Sequence, residues 1–150
     1  MNDLEQLAHD ILAKQPFSTL LGAELVAFEP GRAVLGLAVR DELLQQHGFV
    51  HGGVLGFLAD NALTFAGGSV LGDSLTSEYK INYLRPAKGS RLESRASVVS
   101  SGRSQAVCRC DVVAVDSSGE RVVAVAQGTI RRIETLRDAD GTDPRSPPTS

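Results

Sequence analysis

The sequence predicts an α+β domain in which one antiparallel sheet of about six strands wraps around a single long helix. Three observations predict it. From Gly53 to about Val70 the chain is apolar at helical spacing and contains no proline. Four runs rich in Val, Ile, Tyr and Thr follow, at 74–84, 91–99, 104–115 and 121–132. Ahead of the helix, residues 23–29 and 33–39 flank Pro30-Gly31, a turn signal, and read as a β-hairpin.

Each element has its own warrant. Residues 3–14 carry Leu4, Leu7, Ala8, Ile11 and Leu12 at helical spacing, with Asn2 or Asp3 as the cap. Pro16 ends that helix. In the hairpin, Ala33, Leu35, Leu37 and Val39 fall on one side and Val34, Gly36 and Ala38 on the other. The central helix places Val54, Leu55, Phe57, Leu58, Ala59, Ala62, Leu63, Phe65 and Ala66 over most of its circumference. A helix apolar nearly all round is a buried helix. The four later runs are separated by Gly-containing turns and no helices, which predicts a meander. Residues 134–150 lose the apolar pattern and gain Pro, Ser and Asp, and are expected to be a disordered tail. The domain is therefore 1–133, with its N-terminal helix in 1–16. One sheet covers one side of the central helix, and a second sheet from another subunit would cover the rest, so a homo-oligomer is expected.

Composition narrows the function. A chain of 150 residues, 42% apolar and 22% charged, is an ordinary single globular domain. Its net charge of −3 and pI near 5.6 weigh against nucleic acid as a partner. No run of 18 or more consecutive apolar residues occurs, so no membrane partner is expected. The start, MNDLEQLAHD, lacks the basic opening and apolar run of a signal peptide, and a cytoplasmic protein is expected. Cys108 and Cys110 share one face of a strand, where pairing is geometrically poor, and no further ligands lie nearby to make a metal site.

The chemistry concentrates where the central helix begins. Gln45-Gln46-His47-Gly48-Phe49-Val50-His51-Gly52-Gly53 runs into the helix and ends in two glycines. Glycines there let another group reach unpaired N–H donors, and the helix dipole adds positive charge. That suits an anion or a developing oxyanion. A plain tight loop, with positive φ at Gly48, Gly52 and Gly53, is the structural alternative. Asp60 tips the balance, because a carboxylate amid Leu58, Ala59, Ala62 and Leu63 is costly unless paired or functional, the alternative being a thin solvated stripe along the helix. Gly52 and Asp60 are eight residues apart, or about 12 Å along one helix. If both act on one atom, the site joins Gly52 of one subunit to Asp60 of another.

The motif His51-Gly52-Gly53-x-x-x-x-Leu58-Ala59-Asp60-x-Ala62 resembles the hotdog-fold acyl-CoA thioesterases, in particular their phenylacetate-pathway, PaaI-like subfamily. The run Tyr79-Lys80-Ile81-Asn82-Tyr83-Leu84-Arg85-Pro86-Ala87 resembles that subfamily's strand after the helix. The likeness spans residues 15–133. It implies a hotdog fold assembled as a dimer or dimer of dimers, and hydrolysis of an aromatic or short- to medium-chain acyl-CoA. Gly52 would offer its N–H to the thioester carbonyl. Asp60 would attack that carbonyl or activate water, and His51 would orient the loop beside the thioester. The subfamily has Asn six residues before the histidine. Gln45 stands there, and Gln46 beside it is the preferred substitute for the water-positioning amide. Thr76 matches a position that can hold the nucleophile or water. Gly53, His47 and Phe49 would line the substrate site, and Arg85, Lys88 and Arg103 are candidates for the phosphates of coenzyme A. No cofactor is implied beyond the coenzyme A of the substrate, and no metal. A non-catalytic acyl-CoA-binding protein on the same fold is the alternative. A hotdog hydratase or dehydratase is a third reading, but its motifs are not found, and neither is the G-x-S-x-G elbow of serine hydrolases.

Overall fold

The computed structural model describes residues 1–133. The expected tail, 134–150, lies outside them. Helix α1 (Asp3–Ala13) is capped by Asn2, whose side chain accepts from the Glu5 N–H at 2.8 Å. A second helix, α2 (Pro16–Leu21), follows at once, with Pro16 in its first turn. Pro16, expected as the stop of α1, also opens α2. A proline also suits a helix start, where its missing N–H would have no partner anyway. Hairpin strands β1 (Glu24–Glu29) and β2 (Arg32–Ala38) come next, then a short 3-10 turn (Asp41–Leu43) and the central helix α3 (Gly52–Leu71). Strands β3 (Ser74–Tyr83), β4 (Arg91–Ser101), β5 (Gln105–Asp116) and β6 (Gly119–Arg132) complete the chain.

The six strands form one antiparallel sheet in the order β1-β2-β4-β5-β6-β3. The expected meander therefore holds only for β4-β5-β6. Strand β3 crosses to the far edge and pairs with β6, while β4 returns beside β2. The link 84–90 is longer than a tight hairpin loop and reaches across the sheet end. It is held there by Val50 N–H to Ala87 O at 2.9 Å and Val39 N–H to Ser90 O at 3.0 Å.

The inner sheet face is apolar at every second residue, as the strand period requires. Leu35, Ser94, Val112 and Ala124 lie side by side in register across four strands, all fully buried. Leu58, Ala59, Ala62, Leu63 and Ala66 of α3 pack into the same core. Cys108 and Cys110 both sit in it as free, buried thiols. Burial pushes their pKa values up, to about 11 and about 12. On β2, Ala33, Leu35 and Leu37 enter this core, as the alternation predicts, and Val34 on the opposite side is buried as well.

By length and composition α3 would pass for a membrane span, with a mean hydropathy of 1.4, yet 61% of that window is buried inside the protein. It is the core helix. It is not covered all round, as its sequence suggested. Phe57, Asp60, Asn61 and Thr64 form a half-buried stripe. The neighbouring strand β3 is a sheet edge that leaves Leu75 42% and Tyr83 55% exposed.

Candidate active site

The loop before α3 is pinned from several sides. Gln45 N–H donates to Phe49 O at 2.8 Å, Gly48 N–H to Gln45 O at 3.0 Å, and His51 N–H to Leu43 O at 2.8 Å. Only Gly48 of the three motif glycines has a positive φ, 83°, so the tight-loop explanation does not extend to Gly52 or Gly53. His51 caps the helix: its Nδ1 accepts from the Gly53 N–H at 2.8 Å. In the neutral ring the proton is then on Nε2. A side chain at Gly53 would stand 2.9 Å from that Nδ1, so the cap itself requires glycine there. Val54 N–H donates to His51 O at 2.9 Å. Among the described residues the Gly52 N–H has no partner at the helix start. A side chain at Gly52 would make only ordinary contact, 3.5 Å, with the Tyr83 ring. Neither conformation nor crowding within the chain demands a glycine at that position.

An open cleft of about 390 Å³ adjoins this donor, with Gln45, Phe49, Gly52, Leu55, Tyr83 and Arg85 in its lining. Tyr83 closes one side, donating to Gly52 O at 3.0 Å. Gln45 faces the cleft, and its side-chain oxygen accepts from the His47 N–H. Gln46 is exposed and absent from the lining, so geometry favours Gln45 over Gln46 as the amide nearest Gly52. His47 is exposed as well, and Gly53 has given its N–H to the cap.

Asp60 stands two turns further along α3. Its Oδ1 accepts from Thr76 Oγ1 at 2.6 Å, and Thr76 Oγ1 lies 2.7 Å from Thr64 Oγ1. Thr64 also reaches Asp60 O at 2.8 Å. Since Thr76 spends its one proton on the carboxylate, Thr64 is the donor whenever the two hydroxyls are bonded. The second carboxylate oxygen has no partner among the described residues. A bulge in β3 between Thr76 and Glu78 turns Thr76 and Tyr79 to the same face although they are three residues apart. Tyr79 lies over Gly56, where a side chain would stand 3.3 Å from its hydroxyl. Burial raises the pKa of Tyr79, and the charges of Asp60 and Tyr83 add to the rise, so it stays a protonated donor.

Thr64, Tyr79 and Tyr83 are not among the site residues expected from the sequence, although signals existed. Thr64 is four residues beyond Asp60, on the same helix face. The two tyrosines are four apart on one strand and so share a face. Of the proposed phosphate contacts, Arg85 lines the cleft, and the exposed Lys88 follows in the same link. Arg103 lies in the β4–β5 turn, beside the last residues of β6, where Arg132 N–H bonds Ser104 O at 3.0 Å. That is the far end of α3 from the cleft. Within one chain, then, Gly52 with its cleft and Asp60 with its hydroxyls are two places on one helix, separated by about 12 Å of rise.

Comparison with known proteins agrees with this architecture. Residues 47–126, from His47 through most of β6, match the thioesterase superfamily. The acyl-coenzyme A thioesterase PaaI of Escherichia coli is 30% identical over 129 residues, covering 85% of this chain and 90% of that one. Its solved structure superposes with a TM-score of 0.78 at 28% identity, over 87% of this chain and 93% of that one. A thioesterase family protein from Silicibacter pomeroyi superposes with a TM-score of 0.82 at 35% identity, over 85% and 96% of the two chains. A 1,4-dihydroxy-2-naphthoyl-CoA hydrolase from Listeria monocytogenes is 27% identical across 73% of this chain and 89% of its own. The helix-wrapping sheet and the matched span from the glycine loop into β6 place the chain in the thioesterase superfamily, as a PaaI-like thioester hydrolase of hotdog fold.

Proposed function

We propose that the protein hydrolyses acyl-CoA thioesters at a site shared by two copies of the chain. Gly52, His51 and the cleft come from one copy, and Asp60 and Thr76 from the other. The observation that carries this reading is the unpartnered Gly52 N–H at the start of α3, beside an open cleft. Its donor and the helix dipole stabilise the oxyanion that forms when the thioester carbonyl is attacked. Asp60 supplies the other half, attacking the carbonyl carbon or taking a proton from the water that does. The carbon–sulfur bond then breaks and the coenzyme A thiolate leaves and is protonated; on the water route this gives the free acid at once, and on the direct route water then hydrolyses the acyl–Asp60 anhydride, releasing the acid and restoring the carboxylate. Thr76 holds one carboxylate oxygen and leaves the other for water or carbonyl carbon. His51, with its Nδ1 held by the cap, would offer its other ring nitrogen to the thioester, and Gln45 takes the water-positioning role. Arg85 and Lys88, at the cleft and in the link beside it, suit the phosphates of coenzyme A.

A second copy meets two needs at once. It covers the half-buried stripe of α3, and it covers the exposed edge of β3. The acyl group is aromatic or short- to medium-chain and runs from the cleft of one copy, beside Phe49, toward the α3 stripe of the other. The chemistry calls for no cofactor and no metal, and neither nucleic acid nor membrane is a partner. The expected location is the cytoplasm. The test is free-thiol release from benzoyl-, phenylacetyl-, hexanoyl- and palmitoyl-CoA by wild type and Asp60→Asn. Release by wild type, reduced a hundredfold or more in the variant, is the expected result. Binding without release from any of the four would replace the enzyme with a ligand-binding protein.

A further inference from the structure

Within one chain the half-buried stripe of α3 lies between two unlike walls, and its outer side is left for the second copy. At about 100° per residue, Gly52, Gly56 and Asp60 advance around the helix in steps of about 40°. Tyr83, Tyr79 and Thr76 of β3 cover these three in turn. Phe57 and Asn61 lie about 60° and 100° beyond Asp60, and there the neighbour is α2. Phe17 meets Phe57 edge to face, with ring centroids 5.2 Å apart. Asn61 Nδ2 donates to Gln15 Oε1 at 3.2 Å and to Ser18 Oγ at 3.1 Å, and Ser18 Oγ donates to Gln15 Oε1 at 2.6 Å. Ser18 is only 2% exposed. Closed hydrogen-bond sets of this kind fix one docking geometry, because each member left unpaired would carry a desolvation cost. They hold a six-residue helix against α3 while its Phe17 remains 56% exposed.

We propose that α2 is the acyl-selecting wall of the site and that Phe17 is a specificity-determining residue. This rests on the reading of Asp60 as the group that acts on the thioester. An acyl carbonyl held at Asp60 has its chain within reach of Phe57, one turn back on the same face, and of the Phe17 edge beside it. Hexanoyl or phenylacetyl carbons contact both rings there. An acetyl group is too short to reach them. The wall therefore contributes to longer and aromatic acyl groups and is indifferent to acetyl. Phe17 keeps more than half of its surface exposed beside Phe57, whereas the Gln15–Ser18–Asn61 set holds its helix in place.

The experiment compares wild type, Phe17→Ala and Phe17→Leu on acetyl-, hexanoyl- and phenylacetyl-CoA. Phe17→Ala is expected to lower kcat/KM about tenfold for the two larger substrates, equivalent to about 1.4 kcal/mol, with acetyl-CoA within twofold of wild type. Phe17→Leu, which keeps an apolar side chain, is expected to retain most of the hexanoyl-CoA activity. An equal fall on all three substrates, no change on any, or dissociation of the oligomer in sedimentation would overturn the proposal. The same three proteins are titrated by calorimetry with the non-hydrolysable thioethers S-ethyl-CoA and S-hexyl-CoA. A wild type that releases no thiol refutes the hydrolase reading alone. The wall then stands if wild type prefers the hexyl thioether and Phe17→Ala loses that preference, and it falls otherwise.

Discussion

Gly52 holds the first position of α3, and there a proline is tolerated. His51 before it has φ −57° and ψ 134°, the extended region that a following proline favours. The space at Gly52 accepts a side chain, since the nearest atoms of Tyr83 would be 3.5 Å away. Gly52→Pro thus deletes one N–H donor while respecting the local backbone. The melting temperature should be unchanged or slightly raised, because proline restricts the unfolded chain. If the N–H binds the oxyanion, kcat should fall about 10²- to 10³-fold, the usual effect of losing one such donor. Full activity in a well-folded Gly52→Pro protein would move the oxyanion to another donor. The capping role of His51 sharpens this test. Its Nδ1 has already taken the Gly53 N–H, so the neighbouring donor cannot substitute without uncapping the helix.

At the scale of elements, the seating of α3 on the sheet is set by small residues. A side chain at Gly67 would stand 2.7–2.9 Å from three Ile130 side-chain atoms. Ile130 is fully buried and has nowhere to move. Gly67→Ala gains about 1 kcal/mol of helix propensity but overpacks the core at a cost of about 1–3 kcal/mol. The clash is expected to win, lowering the midpoint of urea unfolding. Gly68→Ala meets only Ser74 Oγ at 3.3 Å, at an edge where the serine can turn. It should be neutral or stabilising, and a reversed order would refute this account of the packing. The same elements show why some of the fold could be read in advance. Helix α3 and strands β4 to β6 declare themselves because burial is written in residue type and period. The position of β3 does not, since pairing depends on where the link 84–90 lands. Pro16 reads equally well as a stop and a start, which hid α2 and with it Phe17. The bulge after Thr76 breaks the period-2 count and hid the shared face of Thr76 and Tyr79. His51, Gly52 and Asp60 stood out by type and spacing. Their neighbours Thr64 and Tyr83 are ordinary residues until tertiary contact gives them something to touch.

At the scale of the whole molecule, one chain holds both halves of the proposed site but cannot bring them together. The two halves are fixed to one rigid helix about 12 Å apart, and no side-chain rotation closes that gap. A symmetric pair of chains would form two sites, each with a Gly52 from one chain and an Asp60 from the other. Two inactive variants should then rescue each other. Asp60→Asn lacks the carboxylate and Gly52→Pro lacks the donor. A mixed dimer contains one site carrying both defects and one carrying neither. Random association of equal amounts makes half the dimers mixed, each with one intact site of two, so about a quarter of wild-type activity is expected. The measurement is thiol release from the coexpressed pair, set against each variant alone and against the same two proteins purified separately and mixed without exchange. Recovery near a quarter, seen only after subunits have been allowed to associate, requires a site built from two chains. Activity that stays at the level of the separate variants would place both groups in one chain's site. It would also require α3 to break between Gly52 and Asp60, against the unbroken 20-residue helix seen here.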